Sequence, residues 1–183
     1  MKVLGGAFMN YKGIEFEAVI ATPGCGKSYL SDKYPNLFAD MDEIRLKLKY
    51  DIPSNISRDE LEKTKGDRKF AKRKYTIEEL YSLYDEEYKL GKTLIAAPHD
   101  ESFKYFESRN IKFCFVYPSL ETKEDIVKRF KARNNSEQFI RENMDLFDQF
   151  YFSNKKDTRA CIHYEFSSNE YLSDILKKFN LKF

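Results

Sequence analysis

Glu15-Phe16-Glu17-Ala18-Val19-Ile20-Ala21-Thr22-Pro23-Gly24-Cys25-Gly26-Lys27-Ser28 is the stretch from which the rest of the chain can be read. Its apolar head, Phe16 to Ile20, predicts a strand. Ala21 to Ser28 predicts a tight loop, and helical sequence follows. Strand, loop and helix in that order fit the phosphate-binding pattern, with Ala21 where the strict pattern has its first glycine. Gly24 and Gly26 reach backbone angles closed to other residues, so successive N–H groups can face one concavity. The helix starting near Lys27 adds the positive end of its dipole. Lys27 can reach the β- and γ-phosphates and the Ser28 hydroxyl can hold Mg²⁺. Thr22, Pro23, Cys25 and Tyr29 complete the expected nucleotide contacts. The stretch therefore predicts a nucleoside triphosphate site.

The bulk of the sequence bounds what surrounds that site. At 183 residues the chain reads as one domain, 1–183, able to bury a core. Sixteen Phe and 13 Tyr supply the apolar material, offsetting a charged fraction of 34%. A net charge of +2 implies no polyelectrolyte partner. Cys25, Cys114 and Cys161 lie far apart and form neither a disulfide framework nor a zinc spacing. That suits a reducing, cytoplasmic setting. Cys25, at a helix N-terminus, can be an acidified thiol or only a small residue that fits. Long apolar runs and secretory signals are absent from the sequence, so no membrane role is expected. Residues 1–13 are expected to form an extra edge strand or a leader.

Past the loop, Ser28 to Tyr34 makes about two helical turns before Pro35 stops it. Leu37-Phe38-Ala39 is a short apolar run ending at Asp40-Met41-Asp42, and a helix follows to Tyr50. A polar insert then carries Lys63, Lys65, Arg68, Lys69, Lys72, Arg73 and Lys74. Ser57 with Glu60, and Thr76 with Glu79, fit capping boxes. Ile77, Leu80, Tyr81, Tyr84 and Tyr88 form one helical stripe ending at Gly91. Thr93 to Ala97 is continuously apolar, as in a strand covered on both faces, and ends at Pro98-His99-Asp100. Further strands are expected at 112–117 and 161–166. Helices are expected at 101–109, 122–133, 136–152 and after Ser168. Five strand–helix alternations predict an α/β fold: a parallel sheet with helices on both faces. Ligands of such sheets bind at the carboxyl ends of the strands.

Two further clusters bear on the reaction. Asp40 and Asp42 beside a triphosphate can ligate metal through water or accept a proton from an attacking oxygen. Either can instead cap the helix that follows. Arg129, Arg133 and Arg141 flank a turn between two helices, where they can neutralise a transferring phosphoryl group. They can equally pair with Glu124, Asp125 and Glu137 on a solvated face. An NKxD guanine reader and an apolar strand ending in Asp-Glu are both missing.

With these residues in place, the chain from Phe16 to Phe166 resembles the small P-loop kinases. That group includes nucleoside monophosphate kinases, gluconate and shikimate kinases and polynucleotide kinase domains. The carriers are the phosphate loop, Asp40-Met41-Asp42 followed by Ile44-Arg45, and the Lys128–Arg141 stretch, which looks like phage-type nucleotide kinases. The resemblance implies a three-layer P-loop NTPase fold with a five-stranded parallel sheet in the order 2-3-1-4-5. It also implies an acceptor-binding insert over about 43–91 and a helical lid over about 122–159. ATP and Mg²⁺ would bind at Gly24, Gly26, Lys27 and Ser28, with Asp42 also near the metal. Asp40, Asp42 and Arg45 would face the acceptor, and Arg129 and Arg133 would serve the lid. Adenylate kinases carry an arginine just after the third strand; here His99 stands there, able to donate to a phosphate or to be an exposed loop histidine. The implied activity is transfer of the ATP γ-phosphate to a nucleoside or deoxynucleoside monophosphate. A nucleic-acid 5′-hydroxyl, a small metabolite alcohol and a non-catalytic nucleotide-binding regulator are the alternatives. The basic insert suits a phosphorylated acceptor, a nucleic-acid end or a solvated loop. A monomer or homodimer is expected.

Overall fold

A computed structural model describes residues 8–50, 52–53, 56, 72–167, 169–181 and 183. The Ser57–Glu60 capping box, Lys63, Lys65, Arg68, Lys69 and the Ser168 cap lie outside the described residues.

The apolar run ahead of the glycine-containing loop at 22–28 does not form a single strand. It splits at Glu17. Met9–Tyr11 (β1) and Ile14–Phe16 (β2) make an antiparallel hairpin of their own, and the sheet strand is Ala18–Ala21 (β3). Lys12 and Gly13 both have positive φ, as a two-residue hairpin turn with the sheet's twist requires. The hairpin docks through Phe16, whose ring meets Phe179 edge-on at 5.2 Å.

The remaining elements follow in order. They are α1 (Lys27–Lys33), β4 (Phe38–Asp40), α2 (Met41–Lys49), α3 (Ile77–Lys89), β5 (Thr93–Ala96), α4 (Asp100–Arg109) and β6 (Phe113–Pro118). After a 3₁₀ turn at Leu120–Thr122 come α5 (Lys123–Ala132), α6 (Glu137–Asp145), α7 (Phe147–Lys156), β7 (Ile162–Phe166) and α8 (Leu172–Lys178). The five sheet strands are all parallel, in the order β4-β5-β3-β6-β7.

Strand alternation sorts the core into two clusters, one on each side of the sheet. Val19 and Ala21 of β3 join Leu30, Ile126, Phe130, Ile175 and Leu176. Ala18 and Ile20 join Leu48, Leu80, Tyr84, Phe103 and Phe106. Successive side chains of a strand point to opposite faces, so a strand buried throughout must be covered on both. Helices lie on both sides, and the architecture is α/β.

Local chemistry sets several boundaries. At α3 the Thr76 hydroxyl accepts from the Glu79 N–H at 3.2 Å, and the Glu79 carboxylate accepts from the Thr76 N–H at 2.8 Å. The tyrosine stripe of α3 is largely core: Tyr84 is buried, and its ring meets Tyr105 at 5.1 Å. The helix expected over 136–152 is interrupted at Leu146. That break lets Ile140 and Met144 stay on the first cluster while Tyr151 reaches the second. Among the described residues no helix is long and apolar enough to cross a membrane.

Candidate functional site

The loop expected at Ala21–Ser28, Asp40-Met41-Asp42 and Pro98-His99-Asp100 lie at the carboxyl ends of the parallel strands β3, β4 and β5. The loop after β3 is built as a cradle. Gly24 has φ +86° and Gly26 φ +98°, and Gly26 is the left-handed residue from which α1 starts. A Cβ on Gly24 would stand 3.3 Å from a Phe130 ring carbon. Conformation and space therefore both require glycine there.

Lys27 is nearly buried at the foot of this loop. Its Nζ donates to the carbonyl oxygens of Ala21 at 2.8 Å and Thr22 at 3.4 Å. The Asp42 carboxylate stands 3.8 Å away. Next to it the Ser28 hydroxyl donates to Asp40 Oδ2 at 3.3 Å.

The two aspartates divide the roles that the sequence left open. Asp40 is the N-cap of α2: its Oδ1 accepts from the Asp42 N–H at 3.0 Å. Asp42, in the first turn, points back across the sheet. It accepts from the Ala97 N–H at 3.3 Å, and His99 Nε2 lies 3.8 Å from it. Asp42 thus ties Lys27 to the loop after β5. Arg45, one turn along α2, pairs with Glu101 of α4 at 3.5 Å. Burial pushes the His99 pKa below its ordinary value, and the positive Arg45 works in the same direction. Lys27, Ser28, Asp40, Asp42, Arg45 and His99 therefore form one neighbourhood.

The arginines behave differently from one another. Arg129 does not reach out as a free lid arginine. Its guanidinium donates to the Gly24 carbonyl at 3.3 Å and the Glu170 carbonyl at 3.0 Å, and lies 4.0 Å from the centre of the Tyr171 ring. It braces the loop after β3. Arg133, at the end of α5, and Arg141, on α6, are exposed and make no ion pair with a described residue. Tyr29 is half-exposed on α1, its hydroxyl accepting from Lys33 at 2.7 Å.

Cys25 is not an acidified thiol. It is fully buried, and burial raises its pKa; its sulfur lies 3.2 Å from the Thr22 hydroxyl. Its carbonyl accepts from the Leu172 N–H at 2.8 Å. The start of α8 is thus a second brace on the loop, and Tyr171 lies beside Gly26. The sequence offered no sign of Glu170, Tyr171 or Leu172 in this role, since they come together with the loop only in the folded chain.

A cavity of about 390 Å³ opens beside this charged cluster. It touches the loop at Thr22 and Pro23 and the β5 end at Pro98 and His99, and its far wall comes from α6 and α7. Among the described residues no three His, Cys, Asp or Glu side chains group as a metal centre. Mg²⁺ in triphosphate sites commonly takes one or two protein oxygens together with phosphate oxygens and water. The Ser28 hydroxyl beside the Asp40 carboxylate fits that kind of binding.

No family model matches the sequence, and no curated protein matches it. Among solved structures the chain is similar to an uncharacterized protein from Eubacterium ventriosum. The two are 14% identical with a TM-score of 0.43, over 87% of this chain and 92% of that one.

Proposed function

We propose that the chain is an ATP-dependent kinase of the small P-loop type, transferring the γ-phosphate to a nucleoside or deoxynucleoside monophosphate. One observation carries this reading. The lysine of a glycine cradle, Lys27, stands 3.8 Å from Asp42, and Asp42 in turn reaches the loop after β5 through the Ala97 N–H. A purely structural strand–helix turn has no need for a nearly buried lysine facing a carboxylate from the helix after another strand. The strand order gives a second support. Counted from β3 as the first strand, it is 2-3-1-4-5, the order expected of nucleoside monophosphate kinases.

In this reading the backbone N–H groups of Gly24 to Ser28 hold the triphosphate. Lys27 leaves its carbonyl partners for the phosphate oxygens. Ser28, with Asp40 beside its hydroxyl, and Asp42 are the residues that would hold Mg²⁺; the ion would supply neutralisation of phosphate charge. Arg45 and His99 face the acceptor. An acceptor phosphate oxygen forms the new P–O bond as the β–γ bridging bond breaks and ADP leaves. The acceptor phosphate is already ionised, so the protein's part is positioning and charge neutralisation. Arg133 and Arg141 are the exposed cations available to close on the transferring group.

A second reading, an alcohol acceptor, draws on Asp42 itself, a carboxylate placed where a base would serve a hydroxyl. The deciding experiment is ADP release from Mg·ATP across nucleoside monophosphates, sugars and 5′-hydroxyl oligonucleotides. Stimulation by monophosphates is the expected result. Tight ATP binding without stimulation by any acceptor would leave a nucleotide-binding regulator instead.

A further inference from the structure

Three consecutive residues, 170 to 172, reach the loop after β3 or the arginine that braces it. The Glu170 carbonyl accepts from Arg129 Nη2 at 3.0 Å, and Arg129 Nη1 donates onward to the Gly24 carbonyl at 3.3 Å. The Arg129 guanidinium lies 4.0 Å from the centre of the Tyr171 ring. The Leu172 N–H donates to the Cys25 carbonyl at 2.8 Å. Adjacent residues meet separate targets only where the backbone that carries them is fixed, and a connection between a strand and a helix is not fixed by its own ladder of bonds.

The Glu170 side chain does the fixing. Its Oε1 accepts from the Tyr164 hydroxyl of β7 at 3.0 Å and from Lys178 Nζ in the last turn of α8. Its Oε2 accepts from the Ser167 N–H at 3.1 Å and the Ser167 hydroxyl at 3.2 Å. The Glu170 N–H in turn donates to the Ser167 carbonyl at 3.2 Å. An ionised carboxylate offers about four acceptor sites, and these donors fill them. The carboxylate is 18% exposed. Burial works against its charge, but the donors, led by Lys178, prevail and hold its pKa at about 2.

An exposed ion pair contributes little to a fold. A largely buried carboxylate with its sites filled is different, because removing it strands several donors at once. One side chain thus joins β7, the 167–170 turn and the far end of α8. The residue it locks is the one whose carbonyl holds Arg129.

We propose that Glu170 is a positioning residue for the loop after β3: its carboxylate sets the 167–170 turn, and through Arg129 and Leu172 that turn holds Gly24 and Cys25 in the shape that receives a phosphate. The word phosphate rests on the kinase reading; the hold on the loop does not, and it can be measured without nucleotide.

Cysteine alkylation of the full chain by iodoacetamide, mapped by mass spectrometry, tests it. Cys25 and Cys114 are both fully buried, so global unfolding exposes them together and local opening of the loop exposes Cys25 alone. Glu170→Ala is expected to speed labelling of Cys25 about tenfold with Cys114 unchanged. It also raises the KM for ATP by more than it lowers kcat. Tyr164→Phe removes one donor and keeps the ring contacts with Tyr11 and Phe179, so it carries the same test, with a gain of about twofold, where Glu170→Ala does not fold. Because Glu170 acts partly through Arg129, the double variant with Arg129→Ala falls short of the product of the two single effects. The proposal is overturned if Cys25 and Cys114 open together, if neither responds, or if the two single effects multiply in full. Selective opening of Cys25 in a chain that binds no ATP would uphold the positioning role and remove the kinase. Turnover of a monophosphate with Cys25 labelling and ATP KM both indifferent to Glu170→Ala would uphold the kinase and remove the positioning role.

Discussion

Lys27 Nζ lies 3.8 Å from Asp42 Oδ2, although the two residues belong to helices that follow different strands. The contact is too long for a strong ion pair. The ammonium is held instead by the Ala21 and Thr22 carbonyls. Asp42 is therefore positioned to influence Lys27 without immobilising it, and each partner is accessible to a separate test.

Asp42→Asn is the most direct of these. The amide oxygen can still accept from the Ala97 N–H, so the loop after β5 keeps its place. Only the charge and the basicity are lost. A monophosphate acceptor needs no base, and kcat/KM is expected to fall less than about tenfold. A fall of about a hundredfold or more would mark an alcohol acceptor instead. Steady-state kinetics on the best acceptor decides between them.

Asp40 carries two tasks that can be separated. It caps α2, and it accepts from the Ser28 hydroxyl. Asp40→Ala is expected to cost about 1 kcal/mol of stability through the lost cap. Asp40→Ser restores a capping oxygen and most of that stability, measured by urea unfolding, but not the carboxylate. Magnesium-dependent ATP affinity is expected to be low in both variants. Recovery of that affinity in Asp40→Ser would show the carboxylate to be a cap alone.

These residues also show where the sequence spoke and where it fell silent. The Thr76–Glu79 capping box and the glycines of the loop after β3 are local devices, formed by residues within a few positions of each other, so spacing reveals them. The Asp40 cap is local too. The two apolar strands β3 and β5 were legible because burial on both faces leaves no polar position. Arg129 is different. It holds the carbonyl of Gly24, 105 residues earlier in the chain, and no pattern in either segment encodes the meeting. The Leu172 N–H on the Cys25 carbonyl spans a still longer stretch of chain, and a backbone donor leaves no trace in side-chain identity. The break at Leu146 has no glycine or proline to announce it, since tertiary packing on two core clusters produces it.

Glycine in the loop after β3 can be tested against glycine elsewhere. Gly24 and Gly91 have similar positive φ, +86° and +82°. Around Gly91 a Cβ meets nothing within 4 Å, whereas at Gly24 it meets Phe130 and Ile126. Gly91→Ala therefore costs only backbone strain, about 1–2 kcal/mol. Gly24→Ala adds the clash and distorts the cradle. Thermal melting with and without ATP should show both variants destabilised but only Gly91→Ala still stabilised by nucleotide.

The three arginines should separate by where they act. Arg129→Ala removes a donor from two loop carbonyls and a stacked charge from Tyr171. Its melting temperature and its ATP affinity are expected to fall together. Arg133→Ala and Arg141→Ala remove exposed side chains without ion-pair partners among the described residues, so stability should stay within about 0.5 kcal/mol of wild type. On the proposed kinase reading their effect is expected in kcat. If Arg129→Ala lowers kcat alone, the brace is not its role.

His99 gives the site a pH dependence whose sign follows from its surroundings. Burial disfavours the imidazolium, and Arg45 and Lys27 repel it; Asp42 and Glu101 favour it but do not prevail, so the folded pKa lies below 6.5. Between the folded and unfolded values the unfolded chain binds the extra proton. The contribution of His99 to stability is thus complete above about pH 6.5 and is lost as pH falls from there toward the folded pKa. His99→Asn cannot titrate and should lose less stability over that window. Urea midpoints at pH 7.5 and 5.5, compared between wild type and variant, give the difference directly. Parallel losses in both proteins would mean that His99 is not held neutral. A neutral imidazole also remains free to accept or donate one hydrogen bond at an acceptor phosphate. An ADP-release rate that drops with acid through the same window in wild type, and less in His99→Asn, would place that proton at the site.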